Sequence, residues 1–240
     1  MTTEELRTSL LATNKNGYTR ITAEQKEEMN AYAKRYMAFM DACKTEREAT
    51  AWAVAEAEKQ GFLPFAPGMQ AKPGDKIYYN NRGKAIALAV IGTESLVNGA
   101  NICAAHVDSP RMDLKPNPLY EDSEIAYFKT HYYGGIKKYQ WPTVPLALHG
   151  VVCRKDGTTV TITIGEDEND PVLMISDLLP HLAADQMQKT AGQVIAGEQL
   201  NVILGTEPIE GEGSDLVKLN IMKFLNEKYG IVEVTSCLRN

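Results

Sequence analysis

Cys103-Ala104-Ala105-His106-Val107-Asp108-Ser109-Pro110 is the stretch that decides how this chain is read. Ala100 to Ala105 is mostly apolar and predicts a strand that delivers His106 at its carboxyl end, with Pro110 as the stop. Side chains alternate along a strand, so His106 and Asp108 fall on one face. A histidine backed by a carboxylate suits metal ligation, because the carboxylate fixes the ring tautomer and raises the basicity of the ligating nitrogen. Functional residues of open α/β sheets gather at the carboxyl ends of strands. Spacing alone also allows a plainer reading, a strand-end histidine that precedes an acidic residue.

Working outward, Thr22-Ala23-Glu24-Gln25 and Thr45-Glu46-Arg47-Glu48 are capping boxes. The first opens a helix to about Met40 with Met29, Tyr32, Ala33, Tyr36, Met37 and Met40 at helical spacing, a stripe expected to pack in a core. The second opens an alanine-rich helix that stops near Gly61. Ile77 to Tyr79 and Ala85 to Ile91 flank the turn Asn80 to Lys84, and the second of these strands is apolar on both faces, as in a sheet covered on both sides. Beyond Pro110, four prolines (Pro116, Pro118, Pro142, Pro145) break the chain and aromatics cluster at Tyr127-Phe128 and Tyr132-Tyr133. Leu146 to Cys153 and Thr158 to Ile164 form a hairpin about Lys155-Asp156-Gly157. Gly165 to Asp170 is acidic but lacks the spacing of a calcium loop and reads as a solvated turn. Val172 to Ile175 and Leu200 to Leu204 are short strands, Asp177 caps a helix carrying His181, and Ser214 caps a last helix from about Asp215 to Tyr229, ended by Gly230.

The 240 residues suffice for one large domain or two small ones. A net charge of −6 disfavours nonspecific binding to nucleic acid or anionic membrane. No apolar run approaches membrane-spanning length, and Met1 to Leu10 lacks the layout of a secretory signal, so a cytoplasmic location is expected. Cys43, Cys103, Cys153 and Cys237 form no paired motif and read as buried thiols in a reducing compartment. Ser109 lacks the glycine-flanked turn of a hydrolase nucleophile.

His106-Val107-Asp108-Ser109-Pro110-Arg111, followed by Leu114-Lys115-Pro116, resembles the metal-binding signature of the aspartyl aminopeptidase family of zinc metallopeptidases, with Val107 where threonine is usual. Thr45 to Glu48, Tyr133-Gly134-Gly135 with Trp141, and Ile175 to Ala183 agree in order. The chain looks like a bacterial member. The resemblance implies an α/β fold: part of a central-sheet catalytic domain (residues 1–115), an inserted β-rich dimerisation domain (116–210), and a return helix to the catalytic domain (211–240). It implies dimers or larger homo-oligomers, and release of amino-terminal residues from peptides, acidic ones preferred. It implies two zinc ions, with cobalt or manganese as substitutes, that activate a bridging water. By the same resemblance His106 is a metal ligand and Asp108 orients it. The resemblance also implies that His181 reaches a neighbouring subunit's site to stabilise the oxyanion, an effect worth roughly 3–4 kcal/mol. A helix histidine packed between Pro180 and Leu182 is the plainer alternative for His181, and His131 and His149 read as structural.

A two-zinc site needs about five or six protein ligands. The family's bridging aspartate, Glu-Glu pair, further acid and last histidine have no counterpart after His106; Glu4-Glu5 and Glu27-Glu28 precede it. The chain therefore reads as an amino-terminal half, truncated or frameshifted near Ile231 to Asn240, with apolar strands left uncovered and a catalytic half softer than the inserted one. Two functional readings follow: a zinc aminopeptidase completed by residues supplied elsewhere, or a noncatalytic truncated paralogue that dimerises with a full-length homologue. A plain β-rich binding module is the third.

Overall fold

The computed structural model describes residues 1–12, 14–154, 156–233 and 237–238. The chain divides into two units, Met1–Ala104 and Ala105–Asn240. The architecture is mixed α/β, with three small sheets of three strands each. No helix among the described residues is long and apolar enough to cross a membrane.

The first unit holds α1 (Thr3–Leu10), α2 (Ala23–Ala42) and α3 (Glu46–Lys59), then β1 (Leu63–Pro64), β2 (Lys76–Asn81) and β3 (Ala85–Val90). The two capping boxes form as read. Thr22 accepts from the Gln25 amide, and the Glu48 carboxylate takes both the Thr45 and Lys44 amides at 2.9 Å. A third box, Thr2 with Glu5, opens α1, a helix that the sequence reading missed. The hairpin turn also forms, with β2 antiparallel to β3 and the Asn80 side chain accepting from the Gly83 amide.

Packing in this unit is thin. Its buried apolar side chains among the described residues are Ala49, Ala57 and Tyr78. The apolar stripe of α2 does not enter a core: Met29, Tyr32, Tyr36, Met37 and Met40 are all exposed, and Phe39 against the edge of Trp52 is its main contact with α3. Strand β3 is apolar but uncovered, with Val90 61% exposed. Its composition suits a sheet covered on both sides, and the described residues cover one side in part.

Two further sequence expectations are corrected here. Ala100 to Ala105 is not a strand; a strand exists by hydrogen bonding to a neighbour, and this segment has none among the described residues. Cys103 within it and Cys153 at the end of β6 (Leu148–Cys153) are exposed rather than buried, while Cys43 is half-buried and all three are free thiols. On β6 the alternation turns Val152 inward and leaves Cys153 outward. The side chain of Cys237 lies outside the described residues.

The second unit is β-rich. β4 (Arg111–Asp122) and β5 (Ile125–Tyr133) form its longest antiparallel pair, closed at a turn where Ser123 and Glu124 both have positive φ. The sequence reading expected the prolines to break this segment. Instead Pro116 and Pro118 sit at a register shift between Leu114 and Leu119, where Asn117 takes a φ of 52°, so the strand bulges and resumes. β6 pairs with β7 (Thr159–Ile164) as expected, although Lys155 of their connection lies outside the described residues. β8 (Val202–Gly205) joins β5, and β9 (Cys237–Leu238) joins β6; of the divergent carboxyl end, residues 234–236 and 239–240 lie outside the described residues. Val172 to Ile175 forms only isolated bridges.

Asp177 opens no helix. Its carboxylate accepts from the adjacent Leu178 amide and from Gln186, and Pro180 offers no amide to a helical ladder, so His181 lies in a run of turns. The last helix, α4 (Leu216–Tyr229), begins two residues after Ser214, whose hydroxyl meets the Asp215 carboxylate instead of capping. Its orphan Lys218 amide is satisfied from β4 by Glu121 at 2.8 Å, and Gly230 ends it with a left-handed φ of 65°.

One core cluster gathers Ala126, Phe128, Leu173, Ile175, Ile195, Leu200, Val202, Leu204 and Val217. A second joins β6 and β7 to α4 through Val152, Ile162, Ile164, Leu225 and Ile231. Buried Thr130 is satisfied by donating its hydroxyl to the Leu200 carbonyl. Burial differs so sharply between units that truncations should differ too. Ile175→Ala should cost about 2–5 kcal/mol, while Leu88→Ala on exposed β3 should stay within about 0.5 kcal/mol, both read by denaturant unfolding.

Candidate functional site

His106 sits five residues before β4, in a segment without regular secondary structure. Its position is defined instead by side chains. Imidazole Nδ1 lies 2.8 Å from the main-chain carbonyl of Asp108 and 3.2 Å from its Oδ1. Both oxygens accept: the carbonyl has no proton to give, and the Asp108 carboxylate is held below its ordinary range by its hydrogen bonds. In the neutral ring Nδ1 therefore carries the proton, which leaves the Nε2 lone pair free. The His106 side chain is 81% exposed, so that nitrogen is open to an external partner. The proximity of His106 and Asp108 read from the sequence is thus present, although an irregular turn produces it rather than a strand face.

Asp108 is held in turn. The Tyr133 hydroxyl donates to Oδ2 at 2.7 Å, and this bond is the main reason the carboxyl sits low; burial opposes it, and the main chain and His106 assist. Tyr133 stands at the end of β5, paired in register with Arg111 at the start of β4. The Arg111 guanidinium covers the Tyr133 ring at 4.4 Å, its Nε donates to Asp113 at 2.7 Å, and another nitrogen donates to the Ser109 carbonyl. Gly134 follows at a φ of 78°, where a Cβ would meet Pro110 at 3.3 Å. Tyr133 is a partner that the sequence reading quoted as a matching residue without giving it a role. Its separation of 25 positions from Asp108 leaves no periodic signal.

The other candidates stand apart. His181 is exposed, and no hydrogen bond or ion pair joins it to His106 or Asp108 among the described residues. His149 pairs with Glu166 at 2.8 Å, and the His131 ring stacks on Tyr132. Asp170 of the acidic loop is engaged by Lys228 and by the Gly165 amide. No group of three or more His, Cys, Asp or Glu among the described residues could hold a metal ion. A zinc ion asks for about four donors. The free Nε2 of His106 fits as one of them, and the described residues do not supply the others.

A model of the family described as aminopeptidase I zinc metalloprotease (M18) matches residues 39–239. A probable M18 family aminopeptidase 1 of Clostridium acetobutylicum is 51% identical over 229 residues, which are 93% of this chain and 49% of the relative. One of Thermotoga maritima is 47% identical over 209 residues, covering 87% of this chain and 46% of the relative. The crystal structure of the M18 aminopeptidase from Thermotoga maritima superposes with a TM-score of 0.85 at 44% identity, over 94% of this chain and 49% of that one. Aminopeptidase I from Clostridium acetobutylicum gives 0.81 at 46% identity, over 93% and 50%. The chain spans about half the length of the curated relatives it matches.

The Tyr133 bond to Asp108 has a direct consequence for titration. Carbon-13 NMR should place the Asp108 carboxyl below the ordinary value of about 3.9, and Tyr133→Phe should bring it back up. A depressed carboxylate stabilises the fold above its unfolded value and loses that contribution as pH falls through its folded one. Asp108 should therefore titrate at lower pH in wild type than in the variant; equal titration in both would refute the assignment.

Proposed function

The chain belongs to the aminopeptidase I zinc metalloprotease (M18) family, and from that premise we propose that it is the His106-bearing half of a metalloaminopeptidase acting on the free amino termini of peptides. The observation that carries the reading is His106 itself. Its Nδ1–H donates to Asp108 and its Nε2 is exposed and makes no hydrogen bond among the described residues, the arrangement a metal-binding imidazole requires.

In this reading His106 contributes one nitrogen to a zinc site, and Asp108 fixes the ring's tautomer and direction. Zinc, when bound, lowers the pKa of a coordinated water toward neutrality and polarises the scissile carbonyl. Two ions are proposed for the complete site, with cobalt or manganese able to substitute. The remaining ligands come from the portion of the relatives that this chain does not cover. His181 is proposed as an oxyanion donor to a neighbouring subunit in a homo-oligomer; it is exposed among Leu178, Leu179 and Leu182, whose apolar side chains suit an interface. A preference for acidic amino-terminal residues is proposed on family resemblance. The absence of a three-residue donor group among the described residues favours a second reading for the chain acting alone, a noncatalytic subunit that assembles with a full-length homologue.

Hydrolysis of aspartyl, glutamyl and leucyl chromogenic amides tests this. The chain alone should show no metal-dependent turnover. The chain mixed with the uncovered half of the Thermotoga maritima relative should show it. His106→Ala should abolish that activity, Asp108→Ala should lower it about 10- to 100-fold, and His181→Ala should lower kcat about 100- to 1,000-fold. Turnover by the chain alone would contradict the half-site reading, and a mixture unaffected by His106→Ala would contradict the role of His106.

A further inference from the structure

We propose that Tyr133 is a positioning residue for His106: its hydroxyl bond to Asp108 fixes the residue that supplies both acceptors of the imidazole Nδ1 proton. The proposal rests on the reading of His106 as a metal ligand for its purpose, but its geometry stands without it.

The segment carrying His106 has no ladder of its own. Residues 100–110 belong to no helix, strand or pairing among the described residues, so the chain itself does little to fix the direction of the imidazole. The side-chain anchors of this segment converge on the start of β4 and the end of β5. Tyr133 donates to Asp108 Oδ2 at 2.7 Å, Arg111 lies on the Tyr133 ring and reaches the Ser109 carbonyl, and Pro110 packs on Gly134. The carbonyl and Oδ1 that face His106 Nδ1 both belong to Asp108. They are therefore not independent supports: whatever holds Asp108 holds both. Tyr133 uses Oδ2, the oxygen that His106 does not use, so the two bonds coexist on one carboxylate.

The hydroxyl can be separated from the ring. Tyr133→Phe removes the bond to Asp108 while keeping the aromatic face under Arg111, so the strand register and the packing of Gly134 on Pro110 persist. Without the bond the Asp108 carboxylate turns toward solvent, and His106 loses the constraint that keeps its proton on Nδ1. A residue serving stability alone would change the melting temperature and leave the tautomer alone.

Long-range nitrogen–proton NMR of the histidine rings in the metal-free chain, recorded at alkaline pH where the rings are neutral, tests this. Wild type should show His106 protonated almost wholly on Nδ1. Tyr133→Phe should move it to a mixture of tautomers with the circular dichroism unchanged, while Tyr127→Phe, on the same strand but stacked on Tyr120, should not. Asp108→Ala should give a shift to which Tyr133→Phe adds nothing, because Tyr133 acts through Asp108. A His106 tautomer unchanged in Tyr133→Phe, or shifts that add in the double variant, would overturn the proposal. Should Tyr133→Phe fail to fold, the wild-type hydroxyl proton decides. It should exchange with water more slowly than those of exposed Tyr32 and Tyr36, and equal rates would overturn the proposal. Because no metal is present, failure here leaves the metalloaminopeptidase reading standing. Conversely, a positive result survives even if hydrolysis is never found.

Discussion

Asp108 is the junction on which the candidate site depends. One carboxylate faces an imidazole with one oxygen and a phenol hydroxyl with the other, while its own carbonyl also meets the imidazole. The result is a fixed proton on His106 Nδ1 and an open lone pair on Nε2. An exposed histidine on an irregular segment would otherwise sample many directions, and each would dilute its use as a ligand. The β4–β5 pair supplies the rigidity, because its register sets Arg111 against Tyr133 and so holds both ends of the anchor. The long β ladder and its core thus serve a site that lies outside them.

The two units divide the physical work unevenly. The second has two apolar clusters, a buried Thr130 whose hydroxyl is satisfied by the Leu200 carbonyl, and a helix capped across the fold by Glu121. The first has well-capped helices but little burial, and its apolar residues on α2 and β3 face solvent. Capping satisfies helix ends without supplying a core, and most helix stability in proteins comes from packing an apolar face. α2 carries a full apolar stripe yet has no buried residue, so the described residues leave that face uncovered. This fits a chain that matches about half of each relative.

Legibility in the sequence followed the range of the interactions. The boxes at Thr22 and Thr45 were readable because a cap is settled within four residues, and the β6–β7 hairpin because adjacent strands need only a short connection. The family resemblance was readable from motifs, and with it the identity of His106 and Asp108 as a pair. Strand character at Ala100 to Ala105 was not, because alternation and apolarity do not say whether a neighbour exists. β4 was misjudged because two prolines normally end a strand, whereas here a bulge with Asn117 at positive φ absorbs them. The α2 stripe suggests a core because periodicity reports a face and not what covers it. Tyr133 escaped notice because its contact with Asp108 is made by strand pairing, which no local pattern records.

His106 Nε2 is proposed as a zinc donor completed by residues outside this chain. Nitrogen NMR of the histidine rings, followed while zinc is added, tests it most directly, first on the chain alone and then on its mixture with the uncovered half of the Thermotoga maritima relative. The chain alone should bind weak, substoichiometric zinc, and the mixture should form a tight complex in which His106 Nε2 moves to a metal-bound position. Tight zinc binding that leaves His106 unchanged would contradict it, as would two tightly bound ions in the chain by itself.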